Sequence, residues 1–167
     1  LALDEYGSPK LEDLKRLLQK DDSPKLVSLM HVNNEIGNLL DLDQVGELCQ
    51  AHDAFFHTDA VQGVGHFSFD LKSQPIDFLT AAAHKFHGPK GIGFAYIKKN
   101  SGMHSFIVGG PQERGLRAGT ESLHNIVGMQ KAIEIAYEKL EEERQFILDL
   151  KKYFIEKLKG LFPEVHF

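Results

Sequence analysis

Three short apolar runs, KLVSLMHV (residues 25–32), AFFHTDA (54–60) and IDFLTAAAHK (76–85), each finish in a cluster of polar residues. The apolar bodies have the length of buried strands, predicting strands over about 25–31, 54–60 and 76–82. Amphipathic helical patterns alternate with them: Leu11, Leu14, Leu17 and Leu18 before the first run, Leu42, Val45 and Leu48 between the first and the second. Strands alternating with helices imply an α/β domain with a mainly parallel sheet and flanking helices. Ser8-Pro9-Lys10 reads as the opening of the first helix, with Ser8 as N-cap and Pro9 at the first helical position. A fourth run, GIGFAYIKK (91–99), follows the third after the short turn HGPKG, which predicts an antiparallel neighbour. From Thr120 onward the pattern is nearly continuous helix over 122–161, broken near 140–143 and ended by Gly160 and Pro163. Residues 1–120 are therefore expected to form one domain part, and 121–167 a long helical region leading into a second, smaller domain.

The bulk numbers narrow the function classes. With 167 residues, 42% hydrophobic and 26% charged, the chain has the composition of a globular domain, or of one and part of another. Its net charge is -5 and no basic run exceeds two residues, so no footprint for nucleic acid or an anionic membrane is present. No apolar run approaches the roughly 20 residues of a membrane helix, and LALDEYGSPK lacks the layout of a signal peptide; the expected location is cytoplasmic. The single cysteine, Cys49, excludes an internal disulfide or a CxxC pair and reads as a small apolar residue on a helix face. A start at Leu1 and the β-prone ending PEVHF lead to the expectation that the chain is cut from a longer one.

In open parallel α/β sheets ligands bind outside the carboxyl ends of the strands. The polar clusters fall there: Asn33, Asn34 and Glu35 after the first strand, His57, Asp59 and Gln62 at the second, His84 and Lys85 after the third. A carboxylate below an aromatic nitrogen keeps that nitrogen protonated, and a desolvated lysine can attack a carbonyl. Pyridoxal 5'-phosphate (PLP) chemistry needs both groups. Spacing alone leaves other readings open. Lys85 could be a surface lysine, Asp59 a helix cap or turn residue, and Asn34 part of a turn. His31, His57, His84 and His87 could join Asp59 around a metal, although no pair has the spacing of helical ligands.

HVNNEIGN, HTDAVQGVG, AAAHKFHGPKGIG and GGPQERGLRAGTES, in this order, resemble the signature segments of the class V aminotransferases and, within them, of the cysteine desulfurases. The resemblance implies the large PLP-binding domain of fold type I, followed by a long helix toward the small C-terminal domain. It also implies a homodimer that converts L-cysteine to L-alanine and moves sulfur onto an enzyme cysteine as a persulfide. A sulfur acceptor or iron-sulfur scaffold protein would then be the partner. By position, Lys85 matches the Schiff-base lysine and Asp59 the aspartate paired with the pyridine nitrogen. Gln62 matches the amide at the PLP phenolic oxygen, and Asn34 the asparagine beside the substrate carboxylate and the cofactor oxygen. His84 matches a phosphate-contacting histidine, and Thr120 a threonine reaching the phosphate of the other subunit's cofactor. Arg114 and Arg117 would brace the dimer interface from the same loop. No metal is implied.

Two positions depart from that pattern. Ala82 stands where the resemblance implies a serine hydroxyl for the phosphate, a hydrogen bond worth about 1 kcal/mol or somewhat more, and Pro111 stands where many relatives have glycine. The resemblance also puts the rest of the phosphate cradle and a ring-stacking histidine upstream of Leu1. The persulfide-forming cysteine and the carboxylate-binding arginine belong downstream of Phe167, and Cys49 does not match that cysteine. The chain alone is therefore expected to be inactive and poor in cofactor. The competing readings are another class V enzyme, such as a selenocysteine lyase or a small-amino-acid aminotransferase, and a non-catalytic module that binds a partner through its charged C-terminal helix.

Overall fold

The computed structural model describes residues 1–165; the end of the PEVHF segment lies outside them. Four strands form one sheet in the order β1 (Leu26–Met30), β2 (Phe55–Asp59), β3 (Phe78–Ala82) and β4 (Gly93–Ile97). The first three run parallel, with Met30 opposite Asp59 and Asp59 opposite Thr80. β4 is antiparallel to β3, with Ala82 opposite Gly93, as its short connection requires, since a few residues cannot carry a chain back to the starting end of a sheet. Four helices accompany them: α1 (Leu11–Leu18), α2 (Leu42–Gln50), α3 (Leu123–Glu138) and α4 (Leu140–Leu161). The break expected in the C-terminal helical region falls at Lys139, whose φ of -102° and ψ of 4° separate α3 from α4.

One local expectation is corrected. Ser8 does not cap α1 and Pro9 is not its first helical residue: the helix starts at Leu11 after Lys10, without a side-chain cap. Pro9 instead bridges Leu3, and Asp4 binds the Ser8 backbone in a small N-terminal loop. That loop satisfies Ser8 and Pro9 before the helix begins. At α2 the capping chemistry is in place, with the Asp41 side chain accepting from the Gln44 N–H at 3.0 Å.

The alternation of strand side chains divides the sheet into two unlike faces. On one face Val27, Phe56, Leu79 and Ala81 are buried against Leu14 and Leu18 of α1 and Leu42, Val45 and Cys49 of α2. α3 brings Ala132, Ile133 and Ala136 to the same core. Each large side chain buried in this way stabilises the fold by about 2 kcal/mol. Gly65 shows how closely the parts approach: its φ of 84° is left-handed backbone, and a Cβ there would lie 2.6 Å from Cβ of Phe86. On the opposite face Leu26 and Phe55 are 62% and 42% exposed. A cavity of about 450 Å³, lined by Leu26, Phe55, Phe78, Ile97 and Met103, opens on this face. Sheets of parallel strands are ordinarily covered on both sides, so this face lacks its second layer.

Candidate active site

Because β1, β2 and β3 are parallel, their carboxyl ends share one edge of the sheet, and the three polar clusters come to it. After β1, the His31 N–H donates to the Asp59 carbonyl at 2.9 Å, and the loop 33–38 closes through the Asn33 N–H to the Asn38 carbonyl at 2.9 Å. The turn-forming side chain is that of Asn33, whose Oδ1 accepts from the N–H groups of Glu35 and Ile36. Asn34 stays exposed at the loop tip and donates to Glu35 Oε1 at 2.7 Å.

At the end of β2, Asp59 Oδ1 accepts from the Val61 N–H at 2.9 Å, the bond of an Asx turn. The turn reading of Asp59 and a ligand-facing reading are thus compatible, because this bond occupies one carboxylate oxygen. No described residue donates to Oδ2. Gln62 lies half-buried in the following turn, where the N–H groups of Gly63 and Val64 donate to the Ala60 carbonyl.

After β3, a single 3-10 turn over Ala83–Phe86 sets the next residues. Ala83 and Phe86 are fully buried and anchor it, which turns His84 and Lys85 outward to solvent. His87 ends the turn with a left-handed φ of 65°, and the Gly88 N–H donates back to the Ala83 carbonyl at 2.8 Å. The Lys85 amine has no partner among the described residues and is exposed, so the desolvation invoked for it on sequence grounds is not supplied by this chain's own residues.

No hydrogen bond among the described residues ties Thr120 to this edge. Its loop is bonded within itself: the Gly119 N–H donates to Gln112 Oε1 at 3.1 Å, the Ala118 N–H to the Ile107 carbonyl at 3.0 Å, and Arg117 to the Gly119 carbonyl at 3.2 Å. Thr120, Arg114 and Arg117 are all exposed. The histidines weighed as metal ligands also lie apart. His31 is buried between the rings of Phe67 and Phe69, each centroid 5.1 Å away, and this burial lowers its pKa. His57 contacts hydroxyls, and among the described residues no three ligating side chains form a metal-sized group. Cys49 is fully buried, and burial, followed by the Asp77 carboxylate, pushes its thiol up to about 11.

Sequence reasoning missed one arrangement. His57 Nδ1 lies 2.8 Å from Ser28 Oγ on β1, and its Nε2 lies 3.3 Å from Thr80 Oγ1 on β3. The available signal was the i, i+2 spacing of His57 and Asp59, which puts both on the uncovered face. Ser28, in the middle of an otherwise apolar run, was the other clue.

The donor set suits PLP. An exposed, unpaired amine, a carboxylate with one oxygen held and one open, and an exposed imidazole stand at one sheet edge; Ala82 contributes no hydroxyl to it. The chain is 45% identical over 165 residues to a cysteine desulfurase IscS of Clostridium botulinum, covering 99% of this chain and 41% of that protein. A NifS-like protein from Rickettsia africae superposes with a TM-score of 0.91 at 32% identity, over 96% of this chain and 45% of the other. SspA in complex with cysteine does so with a TM-score of 0.75 at 35% identity, over 80% and 39%. The chain thus spans about two fifths of the length of the curated relatives it matches. The aminotransferase class-V model matches residues 1–165, and with the parallel sheet and its furnished carboxyl edge this establishes that the chain belongs to the class V aminotransferase family.

Proposed function

We propose that this chain is the central part of a PLP-dependent cysteine desulfurase, which converts L-cysteine to L-alanine and transfers sulfur to an enzyme cysteine as a persulfide. The observation that carries the reading is Asp59 and Lys85 at the ends of adjacent parallel strands, on a chain 45% identical to a cysteine desulfurase. Bound there, PLP supplies an electron sink for bond breaking at the substrate carbon. The chain's own residues bind and orient. Lys85 supplies the amine that joins the cofactor aldehyde, and the open oxygen of Asp59 accepts the ring N–H and keeps it protonated. Gln62 holds the ring oxygen, His84 the phosphate, and Asn34 the substrate carboxylate.

Thr120 serves the phosphate of the other subunit in a homodimer, a role that its exposed loop leaves open. Residues 1–120 are the later part of the cofactor-binding domain, and 121–167 lead toward the small domain. The setting is cytoplasmic, and the persulfide sulfur passes to an acceptor or iron-sulfur scaffold protein.

The test is made on the full-length protein with PLP and L-cysteine. Equimolar alanine and sulfide should form in the presence of a reductant, and Lys85→Ala should abolish both products and the visible absorbance of lysine-bound PLP. An unchanged yellow spectrum in Lys85→Ala would assign the cofactor to another lysine.

A further inference from the structure

Asp59 and Thr80 are register neighbours on the uncovered face of the sheet. Adjacent strands stand about 4.8 Å apart, so a threonine hydroxyl in this place is within one rotamer step of the carboxylate. The Thr80 hydroxyl is directed elsewhere. It lies 3.3 Å from His57 Nε2, while His57 Nδ1 lies 2.8 Å from Ser28 Oγ. His57 thus engages a hydroxyl from each flanking strand, in the row just before Asp59. The strands carry no further titratable group on this face: within β1 to β4 it holds His57 and Asp59, and His84 and Lys85 follow β3.

The consequence falls on Asp59. Its Oδ1 already accepts the Val61 N–H. A hydroxyl donating to Oδ2 would stabilise the carboxylate and make it a weaker acceptor for anything else. Threonine has few χ1 wells, so a partner that fixes its hydroxyl in one well removes it from the others. We propose that His57 is a positioning residue, which holds the Thr80 hydroxyl away from Asp59 and so reserves one carboxylate oxygen for the protonated ring nitrogen of the cofactor. Ser28, on the other imidazole nitrogen, fixes the plane in which His57 does this. The inference rests on the role of Asp59 proposed above.

Four forms of the full-length, PLP-loaded protein test it: wild type, His57→Phe, Thr80→Val and the double variant. The readout is the pH midpoint of the visible absorbance of the lysine-bound cofactor. A positive ring nitrogen disfavours a second positive charge on the conjugated imine. When Asp59 holds the ring proton less well, the imine therefore keeps its proton to higher pH. His57→Phe should raise the midpoint by about one pH unit, the scale of one hydrogen bond to a charged group. Thr80→Val should leave it at the wild-type value, and the double variant should return to that value because no hydroxyl remains to compete. His57→Leu takes the same place in the comparison if the phenyl ring does not fit. An unmoved midpoint in the single histidine variant overturns the proposal. So does a double variant as shifted as the single one, which is the result of lost strand anchoring alone. A wild-type protein without visible absorbance overturns the reading of Lys85 as the cofactor-binding lysine and this proposal together, whereas a normal wild-type spectrum with an unmoved histidine variant overturns only this proposal.

Discussion

The Asp77 carboxylate joins two unlike partners: Oδ1 pairs with Lys98 Nζ at 2.9 Å, and Oδ2 accepts the Phe56 N–H at 2.9 Å. Asp77 is 8% exposed whereas the Lys98 side chain is 46% exposed, so the two bonds differ in worth. The ion pair is largely solvated and contributes about 0–1 kcal/mol. The amide lies on a fully buried strand residue and would lose its acceptor, which costs about 1–3 kcal/mol if it is left unpaired. Asp77→Ala should therefore destabilise by about 1–4 kcal/mol in total, and Lys98→Ala by less than about 1 kcal/mol. Urea unfolding of both variants checks the ranking; equal losses would place the energy in the ion pair.

A second prediction concerns His31 and Gly63. A Cβ added at Gly63 would collide with the His31 ring at Nδ1, and would lie 3.1 Å from Phe69. The ring is held on both sides by Phe67 and Phe69 and has nowhere to retreat. Gly63→Ala should cost about 1–3 kcal/mol, and His31→Ala should relieve that clash in the double variant. Burial also keeps His31 neutral by lowering its pKa from the ordinary 6.5. In the unfolded chain it protonates near that value, so the unfolded state binds more protons below it. The contribution of His31 to stability is therefore complete above about pH 6.5 and is lost as pH falls further. Thermal melts at several pH values should show a shallower acid slope in His31→Ala than in the wild type.

The sheet was legible because its signals were local. Apolar runs bounded by polar clusters located β1, β2 and β3, and the five-residue HGPKG turn set the direction of β4. The start of α1 was not legible, because Ser8-Pro9 carries the same residues in a cap and in a bridged loop, and only the contact with Leu3 distinguishes them. At the site, Asp59 and Lys85 could be placed at strand ends from pattern alone, but the outward turn of His84 and Lys85 depends on Ala83 and Phe86 entering the core. The Ser28–His57–Thr80 arrangement joins residues 29 and 23 positions apart in sequence. It exists only through strand register, which no local spacing reports.

Asp59→Asn separates fold from chemistry, given the function proposed above. The amide oxygen can still accept the Val61 N–H, so the turn and the thermal stability should be nearly unchanged. The charge that holds the ring nitrogen protonated is gone. PLP should still bind through Lys85, while desulfurase turnover falls about a hundredfold or more, the scale on which losing one preorganised electrostatic contact acts. Melting temperature, cofactor content and alanine formation measured together decide it; near-normal turnover would remove Asp59 from the site.

Cys49 supplies the last test, because the proposed reaction needs a cysteine nucleophile and this one is unsuited to be it. The reactive species is the thiolate, and a thiol pushed up to about 11 is ionised in about one molecule in a thousand near pH 8. It is also fully buried, so neither substrate nor sulfur acceptor reaches it in the folded chain. Cys49→Ala should leave desulfurase activity of the full-length protein intact, and a disulfide-forming thiol reagent should label Cys49 only as the chain unfolds. The raised value carries a sign for stability. Unfolded, the thiol loses its proton near 9.0; folded, it keeps it to about 11. The folded state thus binds more protons between those values, and stability falls as pH rises through that window. Unfolding midpoints measured at about pH 8 and about pH 10.5 should converge in Cys49→Ala relative to wild type. An activity loss in that variant that tracks thiol removal rather than unfolding would return Cys49 to the chemistry.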